Sequence, residues 1–338
     1  MKRYKNLFLI LIAISILLLV FSGSYAQEKV WTLKLTTSSM ENSAEGKGYK
    51  KFMEIAEEKS GGRLTFDAYF GGILGDKKVQ VENTITGLQD IYAETFSFFQ
   101  NYVPEFSVLS LSYFFRNNED LKKFLLSPIQ EEMEKKLLEK TGICILNKGR
   151  NWVKGPYRII ISRKPVKSLE DVKGLKVRQA DAPTNIKIWT TFGANISILP
   201  WSDVYLALQQ GMIDAVPCGI AEMGASKLYE LAKYATVTNE MPLQVALNMN
   251  NKRFKSLPED LQNVLIDAAN EAGDYFSELI NKEGARVREE TSTKYGVTYY
   301  EIDLEPWMKK AAGVREELMK SGLVSRDLVH RIEEYLGY

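Results

Sequence analysis

Gly174-Leu-Lys-Val-Arg178, followed by Pro200-Trp-Ser-Asp-Val-Tyr-Leu-Ala-Leu-Gln-Gln-Gly211 and Ile213-Asp214-Ala215, decides the fold of this chain. The order is strand, loop, helix, strand, with an arginine at the carboxyl end of the first strand. Open α/β sheets take ligands in the crevice outside those strand ends. A guanidinium there is a fixed, charged fork that matches a carboxylate. The stretch therefore points to capture of a small organic anion.

The same alternation runs outward from it. Val30-Trp-Thr-Leu-Lys-Leu-Thr36 has the period of two of a strand, and residues 63–69, 90–95, 144–148 and 157–162 read as further strands. Residues 48–59 carry Tyr49, Phe52, Met53, Ile55 and Ala56 at helical spacing, and a second helix runs to Thr86 with Gly87 as its cap. Ser202 reads as the N-cap of a helix over 203–210. Gly71-Gly72 and Gly75-Asp76 match no phosphate-binding pattern and read as a tight turn that lets backbone approach a ligand. After Pro258 an amphipathic pattern continues to Lys294, a helix of about 54 Å at 1.5 Å per residue, long enough to brace two lobes. The fold class expected is α/β, with mixed sheets flanked by helices, and about 310 residues after export make two lobes rather than one core.

The N-terminus sets the compartment. Lys2, Arg3 and Lys5 precede an apolar run from Leu7 to Phe21, and Ser24-Tyr25-Ala26 supplies small residues for cleavage after Ala26. That is a secretory signal peptide, shorter than the roughly 20 apolar residues of a membrane span. The whole chain has 44 basic and 43 acidic side chains; removing Lys2, Arg3 and Lys5 leaves 41 against 43. A near-neutral surface gives nucleic acid no basic patch to bind.

Composition also narrows the chemistry. His330 is the only histidine, and Cys144 and Cys218 are the only cysteines. Serine–histidine or cysteine–histidine catalysis would have to use that one imidazole, and a zinc site has almost no ligands to draw on. No metal, no cofactor and no catalytic residue is expected. Arg178 ends its strand, and Arg158 opens an isoleucine-rich strand where a buried charge needs a partner. These two arginines are the candidate carboxylate contacts.

The spacing from Arg158 through Pro165, Leu169-Glu-Asp and Lys173-Gly174-Leu-Lys-Val-Arg178 resembles the solute-binding proteins of tripartite ATP-independent periplasmic (TRAP) transporters, the dicarboxylate-receptor type. The likeness continues through Trp201-Ser-Asp-Val-Tyr-Leu-Ala-Leu-Gln209, Asp214, Gly75-Asp76, Pro104-Glu105 and Leu257-Pro-Glu-Asp-Leu261. It implies a two-lobed periplasmic binding protein fold, class II-like, with a long hinge-spanning helix. The expected division is 27–155 plus about 244–283 for the N-terminal lobe and 156–243 plus about 284–338 for the C-terminal lobe. It implies a periplasmic receptor, a monomer, that closes on one organic acid and hands it to membrane permease subunits. A sensory receptor for a membrane signalling protein, an enzyme on the same scaffold and a receptor for an ATP-driven permease are the rival readings.

The resemblance places the principal carboxylate arginine at Arg178 and a second at Arg158. It puts Cys218, Thr95 and Ser38 where acid-sugar receptors of the family carry polar side chains. With Trp201, Trp152 and Phe70 as aromatic candidates, a smaller or more apolar acid than sialic acid is expected. Cys144 and Cys218 fall in different lobes, so both thiols are expected to be free.

Overall fold

A computed structural model describes residues 29–155 and 158–338. The export signal read at 1–26 lies outside the described residues, as does Tyr157. In chain order the first elements are β1 (Trp31–Thr36), α1 (Ala44–Lys59), β2 (Leu64–Tyr69), α2 (Lys77–Thr86), β3 (Ile91–Glu94), α3 (Asn118–Leu125), α4 (Pro128–Thr141) and β4 (Ile143–Ile145). Next come β5 (Arg158–Ser162), β6 (Lys176–Gln179), α5 (Pro183–Phe192), β7 (Asn195–Ile198), α6 (Val204–Gln209), β8 (Ala215–Gly219), α7 (Ile220–Ala225) and β9 (Tyr234–Val237). The chain ends with β10 (Ala246–Asn250), α8 (Asn251–Ser256), α9 (Glu259–Lys294), β11 (Thr298–Glu301), α10 (Glu305–Lys320) and α11 (Arg326–Leu336).

The strands form two sheets, ordered β2-β1-β3-β10-β4 and β11-β9-β5-β8-β6-β7. Both are mixed. In the first, β1 runs parallel to β2 and β3, and β10 runs antiparallel to β3 and β4. In the second, β6 is parallel to β7 and β8, and β5 is antiparallel to β8 and β9. Thus β10, late in the chain, completes the first lobe's sheet, and β11 completes the second's. The α/β two-lobed architecture expected from the sequence is the one observed.

Local chemistry explains the ends of the elements. The Ser43 hydroxyl accepts from Gly46 N–H, so α1 begins a turn before the expected start at Gly48. Asp76 caps α2 by accepting from Val79 N–H, and Gly87 ends it at φ 79°, a left-handed conformation that glycine adopts without strain. The expected Ser202 cap is absent. Ser202 donates to Asp203 instead, and a 3-10 turn over Trp201–Asp203 precedes the shorter α6.

The 36-residue α9 joins the lobes. Leu261, Leu265, Ala268, Ala269, Ala272 and Phe276 pack in the first lobe's core with Leu33, Phe52 and Leu247. Val287 packs in the second lobe's core with Ile159, Val216 and Val237. Close approach depends on small residues. A Cβ at Gly273 would lie 2.1 Å from Asn151 Oδ1, and one at Gly224 of α7 would lie 2.5 Å from a Val287 methyl.

The C-terminal helices correct the expected division at 284. α10 packs on α5, with Trp307 edge-on to Phe192 at 5.4 Å. α11, however, returns to the first lobe. Its Leu328, Val329 and Ile332 share a core with Phe124, Ile129 and Met133, Arg331 pairs with Glu132 at 2.9 Å, and Tyr338 donates to Asp120 at 2.9 Å. The apolar face of α11 is buried only because α3 and α4 complete it, a contact no local pattern reveals.

Candidate ligand-binding site

Two crossing segments connect the lobes and lie side by side. Val153 bridges Gln244, Lys154 N–H donates to Leu243 O at 2.9 Å, and Val245 N–H donates to Trp152 O at 2.9 Å. The carboxyl ends of β1, β3 and β6 point toward the gap between the lobes. A cavity of about 550 Å³ opens there, lined by Ser38, Lys77 and Phe98 from the first lobe and Arg178, Ile198 and Trp201 from the second. A narrow recess of about 20 Å³ adjoins it, sharing Ser38, Lys77 and Trp201 and adding Glu45, Glu94, Lys154 and Glu222.

Arg178 is set by the stretch that decides the fold. It sits in β6 opposite Ser197 of β7, and its Nε and Nη2 both donate to Leu199 O, at 3.0 and 2.7 Å. That carbonyl occupies two of five donors. The guanidinium also lies over the Trp201 ring at 5.3 Å, and Trp201 Nε1 donates to Ser226 Oγ at 3.2 Å. Arg178 is 6% exposed, and among the described residues no carboxylate lies within ion-pair distance of it. Burial pulls its pKa down to about 10; Glu222 opposes that shift and Arg158 adds to it. A buried cation short of a counter-charge gains from an incoming carboxylate.

Arg158 differs. Its Nε lies 3.3 Å from Glu240 Oε1 and its Nη2 donates to Pro217 O at 3.3 Å, so its charge already has a partner. The recess holds a network of its own. Lys77 Nζ is 3.2 Å from Glu94, and Lys154 Nζ is 3.3 Å from Glu45 and 3.7 Å from Glu94. Ser39 Oγ donates to Glu45. Burial is the largest influence on Glu94 and raises its pKa, yet Lys154, Lys77 and the Thr95 N–H together bring the carboxyl down to about 2. Burial holds Glu45 and Glu240 above the ordinary carboxylate range despite Lys154 and Arg158.

The folded pKa of Glu94 lies below the ordinary 4.5, so its stabilising contribution is present above that pH and lost as pH falls toward 2. Denaturant melts between those limits should show stability declining with acid, and Glu94→Gln should flatten that decline. Superimposable pH profiles for the two proteins would refute the contribution.

Of the residues expected from the sequence, Arg178, Trp201 and Ser38 line the cleft, and Arg158 stands in electrostatic reach of Arg178. Four expectations need correction. Trp152 is fully buried, its indole N–H donates to Ala269 O at 2.6 Å, and its ring stacks on Tyr49 at 5.7 Å, so it is a core residue under α9. Phe70 is half-buried against the first lobe's core with Lys50 above its ring, outside the residues that line the cleft. Cys218 is 1% exposed among Ile159, Val216 and Met223 and offers the cleft no free atom. Thr95 contributes its backbone N–H to Glu94 at 3.0 Å, and Glu94 is the side chain that enters the recess. Cys144 and Cys218 are both free.

Sequence reasoning missed Glu45, Lys77, Lys154, Glu222 and Glu240. Each looks like an ordinary surface charge along the chain. Only the topology, which brings α1, α2, β3, α7 and the two crossings to one gap, makes them a site. The recess is thus lined by carboxylates and ammonium groups.

Comparison with known proteins agrees with this geometry. The family described as bacterial extracellular solute-binding protein, family 7, matches residues 35–321. A solute-binding protein from Sulfitobacter sp. strain NAS-14.1 is 32% identical over 72% of this chain and 73% of its own length. The 2,3-diketo-L-gulonate-binding periplasmic protein YiaO of Escherichia coli K12 is 27% identical over 70% and 71% of the two chains. A TRAP periplasmic solute-binding protein from Ochrobacterium anthropi, solved with bound L-fuconate, is 26% identical with a TM-score of 0.84, covering 91% of this chain and 99% of its own.

Proposed function

The chain belongs to the family 7 bacterial extracellular solute-binding proteins, and from that premise we propose that it receives a hydroxylated monocarboxylic acid of sugar-acid type and hands it to the membrane subunits of a TRAP permease. It is a receptor and not an enzyme. Its family is periplasmic, and no helix among the described residues is long and apolar enough to cross a membrane. Export with cleavage after Ala26 and action as a monomer complete the proposal.

The observation that carries it is Arg178, a buried guanidinium without a carboxylate partner among the described residues, facing the cavity between the lobes. Its free donors take the acid's carboxylate. Across the cavity, Glu94, Glu45, Lys77 and Lys154, besides pairing with one another, offer remaining acceptor and donor positions to hydroxyl groups. The Escherichia coli relative is named for 2,3-diketo-L-gulonate and the Ochrobacterium anthropi structure holds L-fuconate, in keeping with that pole. Closure of the second lobe over the first follows from better contacts in the closed state.

A thermal-shift panel of uronates, aldonates, keto acids, dicarboxylates and aromatic acids tests the proposal. A ligand at about 100 times its Kd stabilises by roughly 2.7 kcal/mol, a shift of several degrees. Sugar acids should give the largest shifts. Aromatic or unsubstituted aliphatic acids outranking them would remove the hydroxyl-reading role of the recess.

A further inference from the structure

The charge of the acceptable ligand is open to inference, and it rests on the cleft being a carboxylate site. Lys77, the exposed Lys78 and Arg178 line the cleft, Lys154 lines the adjoining recess, and Arg158 stands in electrostatic reach of Arg178. Lys77 pairs with Glu94 at 3.2 Å, Lys154 with Glu45 at 3.3 Å, and Arg158 with Glu240 at 3.3 Å. Arg178 keeps no such partner among the described residues. Glu222 is held near its own backbone, accepting from Gly219 N–H at 3.4 Å.

Glu240 is an unusual counter-ion. It belongs to a crossing segment, is 1% exposed, and its Oε2 has no hydrogen-bond donor among the described residues. The backbone around it is tied to Arg158 as well. Asn239 N–H and the Thr238 hydroxyl both donate to Arg158 O, at 3.0 and 3.2 Å. Tyr113, held at φ 59°, donates its N–H to Glu240 O and its hydroxyl to Thr238 O at 2.9 Å. The backbone that carries Glu240 is therefore fixed beside Arg158, and burial confines its side chain there. Its carboxyl group stays beside Arg158 with or without a ligand, whereas a ligand carboxylate comes and goes.

We infer that Glu240 is a specificity-determining residue that limits the cleft to monoanions by neutralising Arg158 and leaving Arg178 as the one uncompensated buried cation. With both arginines free, the same pole would carry two charges and accept a dicarboxylate. A second carboxylate in the present site meets Glu94, Glu45 or Glu222, and like charges in a buried site repel strongly.

The test uses two six-carbon probes that differ in one terminal group, D-glucuronate as monoanion and D-glucarate as dianion. Calorimetry of the wild-type protein should give glucuronate about tenfold or more tighter binding than glucarate. In Glu240→Gln that ratio should fall by about tenfold or more, and in Glu240→Gln/Arg158→Gln it should return toward wild type. An unchanged ratio in Glu240→Gln overturns the inference. Where Glu240→Gln fails to fold, Arg158→Gln reads the same balance in reverse: the ratio should widen, and an unchanged one overturns the inference. If neither sugar acid binds any form, the sugar-acid reading fails while the charge argument is still decided by inorganic anions. At matched ionic strength, sulfate relative to nitrate should then raise the Tm of Glu240→Gln more than that of the wild type, and equal gains overturn it.

Discussion

Arg178→Ala is expected to weaken binding of the transported acid by roughly thirtyfold to a few thousandfold, the consequence of losing about 2–5 kcal/mol when one partner of a buried charge pair is truncated. The size of the effect comes from the setting. The guanidinium is buried, its Leu199 contacts fix its plane, and Trp201 backs it. Nothing needs to reorganise when the carboxylate arrives, so little of the interaction is spent on ordering. Alanine would leave a ligand carboxylate facing Glu222 with no compensating charge. Arg178→Lys keeps the charge but loses the fork and the stack, and should fall between wild type and alanine. Calorimetry on the three proteins gives the order. Equal affinities for wild type and Arg178→Ala would remove Arg178 from the site.

The second large effect is on stability. Trp152→Ala should destabilise the protein by about 3–5 kcal/mol, the range for emptying a buried large aromatic. Trp152 is enclosed by Tyr49, Phe52 and Phe276, with ring centroids at 5.7, 6.5 and 4.8 Å, and its N–H satisfies the Ala269 carbonyl inside α9. The crossing segment and the hinge helix meet on this one ring. Denaturant unfolding should show the loss, while the folded fraction binds the acid with little change at the carboxylate. A Trp152→Ala protein of wild-type stability but lowered affinity would return Trp152 to the ligand site.

Arg178 and Trp152 also show what the sequence could and could not convey. Arg178 was legible because a strand-end arginine in a parallel strand-loop-helix pattern has few other places to go. The long helix was legible from its three- and four-residue spacing alone. Trp152 was not, because an aromatic in an irregular segment has no periodicity to show which way it faces. Glu45 was hidden for the opposite reason. It lies among lysines and glutamates on α1 and looks solvated, yet β3 and the Lys154 crossing cover it. Glu240 was hidden because its partner, Arg158, is 82 positions away and meets it only when β5 and β9 pair. Cys218 was misplaced because its position along the chain was legible but the direction of its side chain, into the layer with Val216, was not.

These cases have one cause. Periodicity reports which face of an element is buried, and it is silent about what a different element brings to that face. The first-lobe pole of the cleft is assembled from α1, α2, β3 and a crossing segment, so it became visible only with the fold. The Arg178 side of the cleft rests on one contiguous stretch and was visible without it.

A crystal structure of the protein with the tightest-binding acid of the panel tests the central claim most directly. It should show the lobes closed on the acid, with its carboxylate on the free donors of Arg178 and its hydroxyls facing Glu94, Glu45 or Lys154. An acid bound outside the interlobe cavity, with Arg178 still turned only to the Leu199 carbonyl, would contradict it.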